Sequence, residues 1–347
     1  MKYEKIITHP GVFHLDDAMA VALLRAILGD LPVVRRCPTA EEWADPSVVL
    51  VDVGGQLAPE LGNYDHHQRG GAGVFRDPAE GYGVEGLEVP FAAAGLIWHL
   101  FPQVLECRGL TEAQQAQFHR KVDSELFLGI DAGDCGYIPI TSLVLGMSID
   151  TPYGHIDVHD PAAGASVEAG EWAVPVSVPA PTRCMALNRA ISLLNPDPGA
   201  SSEERDAAFE KAVDFATAVL EGTCRSVRNS ILAEAEVLAA KANAGVVVLE
   251  KFVPWGEHIQ KRPDQADLLY VVFPGERGGY MLQQIPKETG SFEGRKPLPE
   301  AWAGLRDLDL RELTGVADAT FIHPGRFCGG AESLDGTLRL AQLAVEA

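Results

Sequence analysis

Val48-Val49-Leu50-Val51 is an uninterrupted run of four aliphatic, mostly β-branched residues, and it constrains the fold more than any other feature of the chain. A half-exposed strand alternates apolar and polar side chains; a strand with neither face in water does not. Such a strand belongs to a parallel sheet covered by helices on both sides. The flanking sequence supplies the other parts. Lys5-Ile6-Ile7-Thr8 is a short β-rich run, followed by the loop Pro10-Gly11-Val12-Phe13-His14. Asp16 and Asp17 then open an Ala- and Leu-rich helix that stops at Gly29, with carboxylates at its positive end and glycine past its last turn. Residues 31–36 read as a second strand. Strand, helix, strand, strand predicts an α/β domain with a doubly wound, mostly parallel sheet.

Further along, 91–101, 113–128 and 183–194 read as helices, and 150–181 as an irregular insertion rich in Pro and Gly. A long helix is expected from Ser202 to about residue 242, its apolar residues forming no single clean stripe. After Gly245 the texture changes to short strands at 246–249, 268–273 and 280–282, separated by Gly and Pro turns, with a last helix at 333–345. The expected organisation is therefore an α/β domain over 1–200, a helical connector over 201–244, and a smaller C-terminal α+β domain over 245–347. For a chain of 347 residues, 46% of them hydrophobic, this division provides two real cores.

The net charge of −21 excludes a basic nucleic-acid coat and a membrane-surface patch. A phosphate-bearing substrate must then be held locally, through metal cations. Residues 1–244 carry 34 acidic and 17 basic residues, and 245–347 carry 15 and 11, so the C-terminal part is less hostile to an anion. Six scattered cysteines without a CxxC pair suggest free thiols in a cytosolic protein. The opening residues lack the apolar core of a signal peptide, and no apolar run reaches membrane-spanning length. The expected location is cytoplasmic.

Four of the ten histidines, His9, His14, His66 and His67, fall within the first 67 residues, beside Asp16, Asp17, Asp52 and Asp65. His9 closes the first strand, Asp52 closes the apolar run, and Asp65-His66-His67 lies in the next loop. Asp131-Ala132-Gly133-Asp134 comes after the helix expected to end near residue 128. In open α/β sheets, sites form beyond the carboxyl ends of the strands. Imidazole nitrogen with carboxylate oxygen is a donor set for Mn²⁺, Mg²⁺, Fe²⁺ or Zn²⁺. There are more such groups than one cation needs, which points to a pair of cations. Singly, each residue has an ordinary reading: His99 in the core or at its edge, His119, His155 and His159 exposed, Asp16-Asp17 as a helix cap. Their joint occurrence at successive strand ends does not.

Thr8-His9-Pro10-Gly11-Val12-Phe13-His14-Leu15-Asp16-Asp17-Ala18 resembles the opening motif of the melanocyte-proliferating-gene family, a branch of the DHH phosphoesterase superfamily. Val51-Asp52-Val53-Gly54-Gly55, Tyr64-Asp65-His66-His67-Gln68 and Val122-Asp123 with Asp131-Ala132-Gly133-Asp134 are similar to its second, third and fourth motifs. Pro254-Trp255-Gly256-Glu257-His258, Ile285-Pro286-Lys287-Glu288, the stretch from Pro297 to Arg306, and Phe321-Ile322-His323 through Phe327-Cys328-Gly329-Gly330 also resemble family signatures. The similarity is weakest over 135–180. The superfamily pattern His-x3-Asp-x-Asp here becomes His9-x4-His14-x-Asp16, with His14 replacing the first aspartate.

The resemblance implies a DHH-type domain binding two divalent cations, Mn²⁺ or Mg²⁺, through His9, His14, Asp16, Asp52, His66 and Asp131, with Asp134 as the alternative to Asp131. It implies that Asp65 orients His66 and that His67 contacts the scissile phosphate or helps a leaving oxygen. The C-terminal part resembles a substrate-binding domain. Gly329-Gly330 has the character of a phosphate-cradling turn. Lys287, Arg295, Lys296, His323 and Arg326 are a possible anion-binding set, and Trp255, Trp302 and Phe327 possible base-stacking residues. The acidic stretch Ala331-Glu332-Ser333-Leu334-Asp335 stands where the family carries basic residues, which argues against a long nucleic acid. The implied activity is that of a metal-dependent hydrolase: a phosphodiesterase, most simply a 3′–5′ exonuclease on RNA or short oligonucleotides. The alternatives are a hydrolase of small phosphates (pyrophosphate, nucleotides, dinucleotides) and a non-catalytic metal-binding regulatory protein. A homodimer is compatible with either, and no membrane partner is expected.

Overall fold

The computed structural model describes residues 3–73, 76–82, 89–101, 109–136, 148–151, 154–157, 187–288 and 293–347. The chain forms two compact units, Met1–Cys224 and Arg225–Ala347. Both contain mixed α/β structure, with a four-stranded parallel sheet in the first and a six-stranded mixed sheet in the second.

The first sheet comprises β1 (Lys5–Thr8), β2 (Val33–Arg35), β3 (Val48–Val51) and β4 (Asn63–Tyr64) in the order β2-β1-β3-β4, every pair parallel. β3 is buried along its whole length, as its unbroken apolar run demands. Helix α1 (Leu15–Leu28) crosses from β1 to β2 and is buried on every side from Leu15 to Leu24, Asp16 and Asp17 included. It packs against α2 (Ala93–Leu100), α4 (Leu128–Asp134) and α5 (Leu187–Ser192). Because β2 lies on one side of β1 and β3 on the other, the strand order reverses between β1 and β3. A crevice opens at such a reversal, beyond the strands' carboxyl ends. His9 and Asp52 are the residues immediately past those two ends.

Helix α3 (Glu112–Val122) begins at the capping box of Thr111 and Gln114. It runs through a π-helical turn at Asp123–Phe127 directly into α4. Asp131 to Asp134 therefore lie within a helix that continues past residue 128, and the loop expected there is corrected. The wider turn lets Asp123, Leu126 and Phe127 all point inward. His119, expected on the surface, is 4% exposed and stacks flat on Trp98 at 4.4 Å. His99 packs against Phe91. A hairpin of β5 (Ser148–Thr151) and β6 (Gly154–Asp157) overlaps the start of the expected irregular insertion, most of which lies outside the described residues. His159, Cys107 and Cys184 lie outside them too, as does the side chain of His155.

Helix α6 (Ser202–Ala239) spans 38 residues and includes the division between the two units. Phe209, Val213, Ala216, Leu220, Val227 and Ile231 are buried at spacings of three, four and seven. That is a continuous apolar stripe, where none was expected. The alanines hid it in the sequence, while Phe215 and Leu238, which look like core residues, are exposed.

In the second unit, β7 (Lys241–Asn243), β8 (Val246–Val248), β9 (Tyr270–Pro274), β10 (Tyr280–Gln284), β11 (Ala319–Ile322) and β12 (Cys328–Ala331) run in the order β11-β12-β10-β9-β8-β7. Only β8 and β9 pair in parallel. One face, with Tyr270, Val272, Leu282 and Ala331, packs under α7 (Asp307–Thr314) and α8 (Leu334–Glu346) through Leu310, Leu340, Ala341 and Ala344. The other, with Val247, Val271 and Phe273, meets Ala233 and Val237 of α6 and the Trp255–Ile259 segment. Gly329 and Gly330 lie in β12 between β10 and β11, so the phosphate-cradling turn expected there is corrected to a strand. A Cβ on Gly330 would fall 2.3 Å from the Tyr280 carbonyl oxygen, so close strand packing accounts for that glycine. Among the described residues, no helix is long and apolar enough to cross a membrane.

Candidate metal centre

Local chain geometry delivers each side chain to the crevice between β1 and β3. His9 leaves β1 with its Nδ1 against the Pro10 carbonyl at 3.0 Å, which turns Nε2 inward. That nitrogen lies 2.9 Å from Asp17 Oδ2 and 3.5 Å from Asp52 Oδ2. Asp17 is fixed by accepting the backbone N–H groups of His14 and Ala18 at the start of α1. Asp52 takes a left-handed backbone at φ 51°, an uncommon conformation for a residue with a side chain. Its other oxygen, Oδ1, lies 3.3 Å from His66 Nε2 and 3.4 Å from His67 Nδ1. His66 Nε2 is also 3.1 Å from Asp134 Oδ2 at the end of α4. His14 lines the same cavity of about 430 Å³, together with His9, Asp52, Asp65, His67 and Asp134.

Asp52 is thus the hub. One of its oxygens faces the His9–Asp17 pair, and the other faces His66 and His67. Asp52 Oδ1 and His66 Nε2 are buried and, among the described residues, meet no group in hydrogen-bond geometry. Ligands held 2.0–2.2 Å from one cation in octahedral geometry stand about 3 Å from each other. The separations of 2.9–3.5 Å between these donors match that spacing. Among the described residues, three groups of donors are close enough to hold a cation: His9-Asp17-Asp52, Asp52-His66-His67 and His66-Asp134-Cys135. The donors gathered around Asp52 therefore fit a metal ion.

The expected residues divide. His9, His14, Asp52, His66 and His67 come together. Of the two alternatives, Asp134 is the carboxylate that joins them. Asp131 is fully buried, and its carboxylate is taken by the Arg76 guanidinium at 2.7 Å and the Gly95 N–H at 3.2 Å. Asp16 gives its two oxygens to the N–H groups of Ala93 and Ala94 at the start of α2, behind the centre. Asp65 orients His67, not His66: its Oδ1 lies 2.7 Å from His67 Nδ1, while Gly55 N–H donates to its other oxygen. The outer nitrogen of His66 instead faces Cys135 Sγ at 3.8 Å. Asp17 and Cys135 were missed as members of the centre. The first read as a helix cap, and the position of the second depends on the continuation of α4.

The C-terminal residues of the expected substrate set are mostly engaged elsewhere. Lys287 pairs with Glu293, Arg295 donates to the carbonyls of Gln265 and Leu268, and Lys296 donates to the Val345 carbonyl. Arg326 reaches the Leu298 carbonyl, and His323 accepts from Gly325 N–H. Trp255 and Trp302 are core residues, 6% and 8% exposed, so the stacking role considered for them is corrected. Phe327 is exposed and packs on His323.

Without a cation the centre is charged by its own neighbours. Burial works against a proton on His9, but the hydrogen bond and charge of Asp17 prevail and push it up to about 9. Burial is likewise overcome at His66, raised by Asp134 and Asp52. Burial opposes ionisation of Asp65, yet Gly55 N–H and His67 hold it below the usual carboxylate range. A cation at His9 Nε2 requires the neutral imidazole. Affinity for Mn²⁺ should therefore rise from pH 7 towards pH 9, by up to about tenfold per unit for each proton displaced. Isothermal titration in two buffers of unequal ionisation enthalpy reads the released proton. Affinity independent of pH over this range would contradict the assignment of His9.

A family model described as "Uncharacterised protein family (UPF0160)", named MYG1_exonuc, matches residues 5–345. The MYG1 exonuclease of Mus musculus is 28% identical over 97% of this chain and 84% of its own length. The MYG1 exonuclease of Homo sapiens is 28% identical over 97% and 85%. A MYG1 protein of Saccharomyces cerevisiae is 27% identical over 99% and 96%. Among solved structures, an uncharacterized protein from Helicobacter pylori G27 aligns over 99% of this chain and 98% of its own, at 11% identity and a TM-score of 0.20.

Proposed function

The chain belongs to the MYG1 exonuclease family (UPF0160), and from that premise we propose that it is a divalent-metal-dependent phosphodiesterase, a 3′–5′ exonuclease on RNA or short oligonucleotides. The single observation that carries the reading is Asp52, whose two oxygens face two separate sets of imidazole and carboxylate donors. The DHH-type, doubly wound arrangement of the first domain belongs to the same proposal. Mn²⁺ or Mg²⁺ ions bound there supply Lewis acidity, a water acidic enough to attack near neutral pH, and neutralisation of phosphoryl charge. The residues to hold them are His9, Asp17 and Asp52 on one side and Asp52, His66 and Asp134 on the other, with His14 at the cavity wall. Asp16 and Asp65 shape the centre from behind.

His67 is assigned to the leaving group. Its Nδ1 is held by Asp65, and its side chain is 59% exposed at the cavity. An imidazole anchored through Nδ1 presents Nε2 to a bound ester. In the reaction, water oxygen bonds to phosphorus as the P–O3′ bond breaks. The leaving oxygen takes a proton, and a nucleoside 5′-monophosphate departs from a chain shortened at its 3′ end. The excess of 32 acidic over 14 basic residues in Met1–Cys224 favours a second reading, hydrolysis of small phosphates, because a long polyanion is repelled.

Incubating the protein with 5′-labelled RNA and Mn²⁺ should give a ladder of products shortened from the 3′ end. His66→Ala should slow it by more than about 10²-fold, beyond the cost of losing an outer partner of a ligand. No shortening, or shortening indifferent to His66→Ala, would refute the nuclease reading. Turnover of a two-nucleotide RNA in the absence of turnover of a twenty-nucleotide one would select the small-substrate reading.

A further inference from the structure

We propose that a groove at the margin of the C-terminal sheet's second face, beside the part that meets α6, binds a base and adjoining phosphates of a single-stranded oligonucleotide; this rests on the nucleic-acid reading of the metal centre. Strand register builds its floor. Phe273 pairs with Met281, Met281 with Gly330, and Gly330 with Phe321 across four neighbouring strands. Residues directly opposite each other in paired strands project to the same face. The row Phe273, Met281, Gly330, Phe321 therefore crosses the sheet on the face away from α8, with no side chain at Gly330. A groove of about 660 Å³ is lined by Phe273, Met281 and Phe321, with Phe252, Arg277 and Arg306 as further walls. That volume falls in the range of small-ligand sites.

The walls carry the chemistry of a stacked nucleotide. Phe252 is 53% exposed, its ring 5.2 Å from that of Phe273 and inclined by 56°. One exposed phenylalanine is ordinary, but here it borders a groove that also holds two guanidinium groups. The Arg306 guanidinium lies 5.6 Å from the centre of the Phe321 ring, and a backbone bridge between the two residues fixes the pair. Arg277 sits on the turn joining β9 and β10, beside Glu276, which also lines the groove. Aromatic rings and guanidinium planes stack bases of any sequence, and the guanidinium charge meets the phosphates. Arg225–Ala347 has 17 acidic and 14 basic residues, so it repels an anion less than Met1–Cys224 does in this protein of net charge −21.

The test is fluorescence anisotropy of the full chain with a 5′-fluorescein ten-nucleotide RNA in EDTA, where no turnover occurs, alongside thermal melts of each variant. Phe252→Ala should weaken binding roughly 5- to 100-fold with an unchanged melt. The double variant Arg277→Ala/Arg306→Ala should reduce the slope of log affinity against log salt by about 1.4, for two single-strand phosphate contacts. An abasic strand of equal length should bind the wild type more weakly and lose nothing further on Phe252→Ala. Wild-type affinity and salt slope in all variants would remove the groove, even if Mn²⁺-dependent RNA shortening persisted. Groove-dependent binding by a protein that shortens no RNA would keep the groove and remove the exonuclease reading. Equal affinity for abasic and base-bearing strands would overturn the stacking.

Discussion

Asp52→Asn should abolish metal-dependent phosphodiester hydrolysis, by at least about 10³-fold in kcat, while the protein melts within a few degrees of the wild type. The substitution keeps the shape of the side chain and removes one charge. An amide offers a single good oxygen donor, so it cannot serve two cations as a carboxylate does. The loss should exceed the 10- to 100-fold typical of an outer partner of a ligand, because both sides of the centre are affected at once. Backbone strain argues for Asn over Ala. Asp52 has φ 51°, and asparagine tolerates that region while alanine adds about 1 kcal/mol or more of strain. Asp52→Ala therefore mixes folding with chemistry, and Asp52→Asn isolates the carboxylate. Elemental analysis of the purified protein gives the second readout, with metal content dropping from about two ions per chain to one or none. Full activity with two bound ions in Asp52→Asn would dismantle the shared centre.

The parallel sheet and the histidines were legible for one physical reason. In a parallel strand buried on both faces the side chains cannot alternate, so β1 and β3 announce themselves and their last residues mark where a crevice lies. That His9, Asp52 and His66 come together was legible from their places just past the strand ends. That Asp134, and not Asp131, lies beside His66 was not legible, because it depends on helical phase. A π-helical turn at Asp123–Phe127 rotates α4 relative to α3, and no hydrophobic period signals it. Asp65 is two residues from His67 and one from His66, and only the loop's path decides which imidazole it meets. The C-terminal glycines misled for a related reason. A Gly-Gly pair reads as a turn, whereas here neighbouring strands approach too closely for a side chain. The stripe on α6 escaped because its members include alanines, which contribute little hydrophobic signal yet pack well.

Arg76→Met should cost about 3–5 kcal/mol of stability, the largest loss expected from one substitution outside the metal centre. At 2–4 °C per kcal/mol, this lowers the melting temperature by roughly 6–20 °C. Arg76, Asp123 and Asp131 have side chains that are at most 1% exposed. The guanidinium donates through Nε and Nη2 to the two oxygens of Asp123 at 2.8 Å, and through Nη2 to Asp131 at 2.7 Å. It also lies 4.5 Å from the centre of the Phe91 ring. Methionine fills the volume but leaves two carboxylates in the core without a cation, far costlier than replacing all the partners together. The pH dependence has a definite sign. Burial pushes Asp131 up to about 7 even with Arg76 beside it, and removing the guanidinium raises it further. The folded variant then holds protons that the unfolded chain releases above about pH 4, so its stability increases as pH falls. The gap to wild type should narrow between pH 8 and pH 5. Adding Asp123→Asn and Asp131→Asn to Arg76→Met should recover much of the loss at pH 8, which calorimetry reads directly. A single variant as stable as the wild type at pH 8 would show that the triad is open to water and that α4 is held in place by its apolar contacts alone.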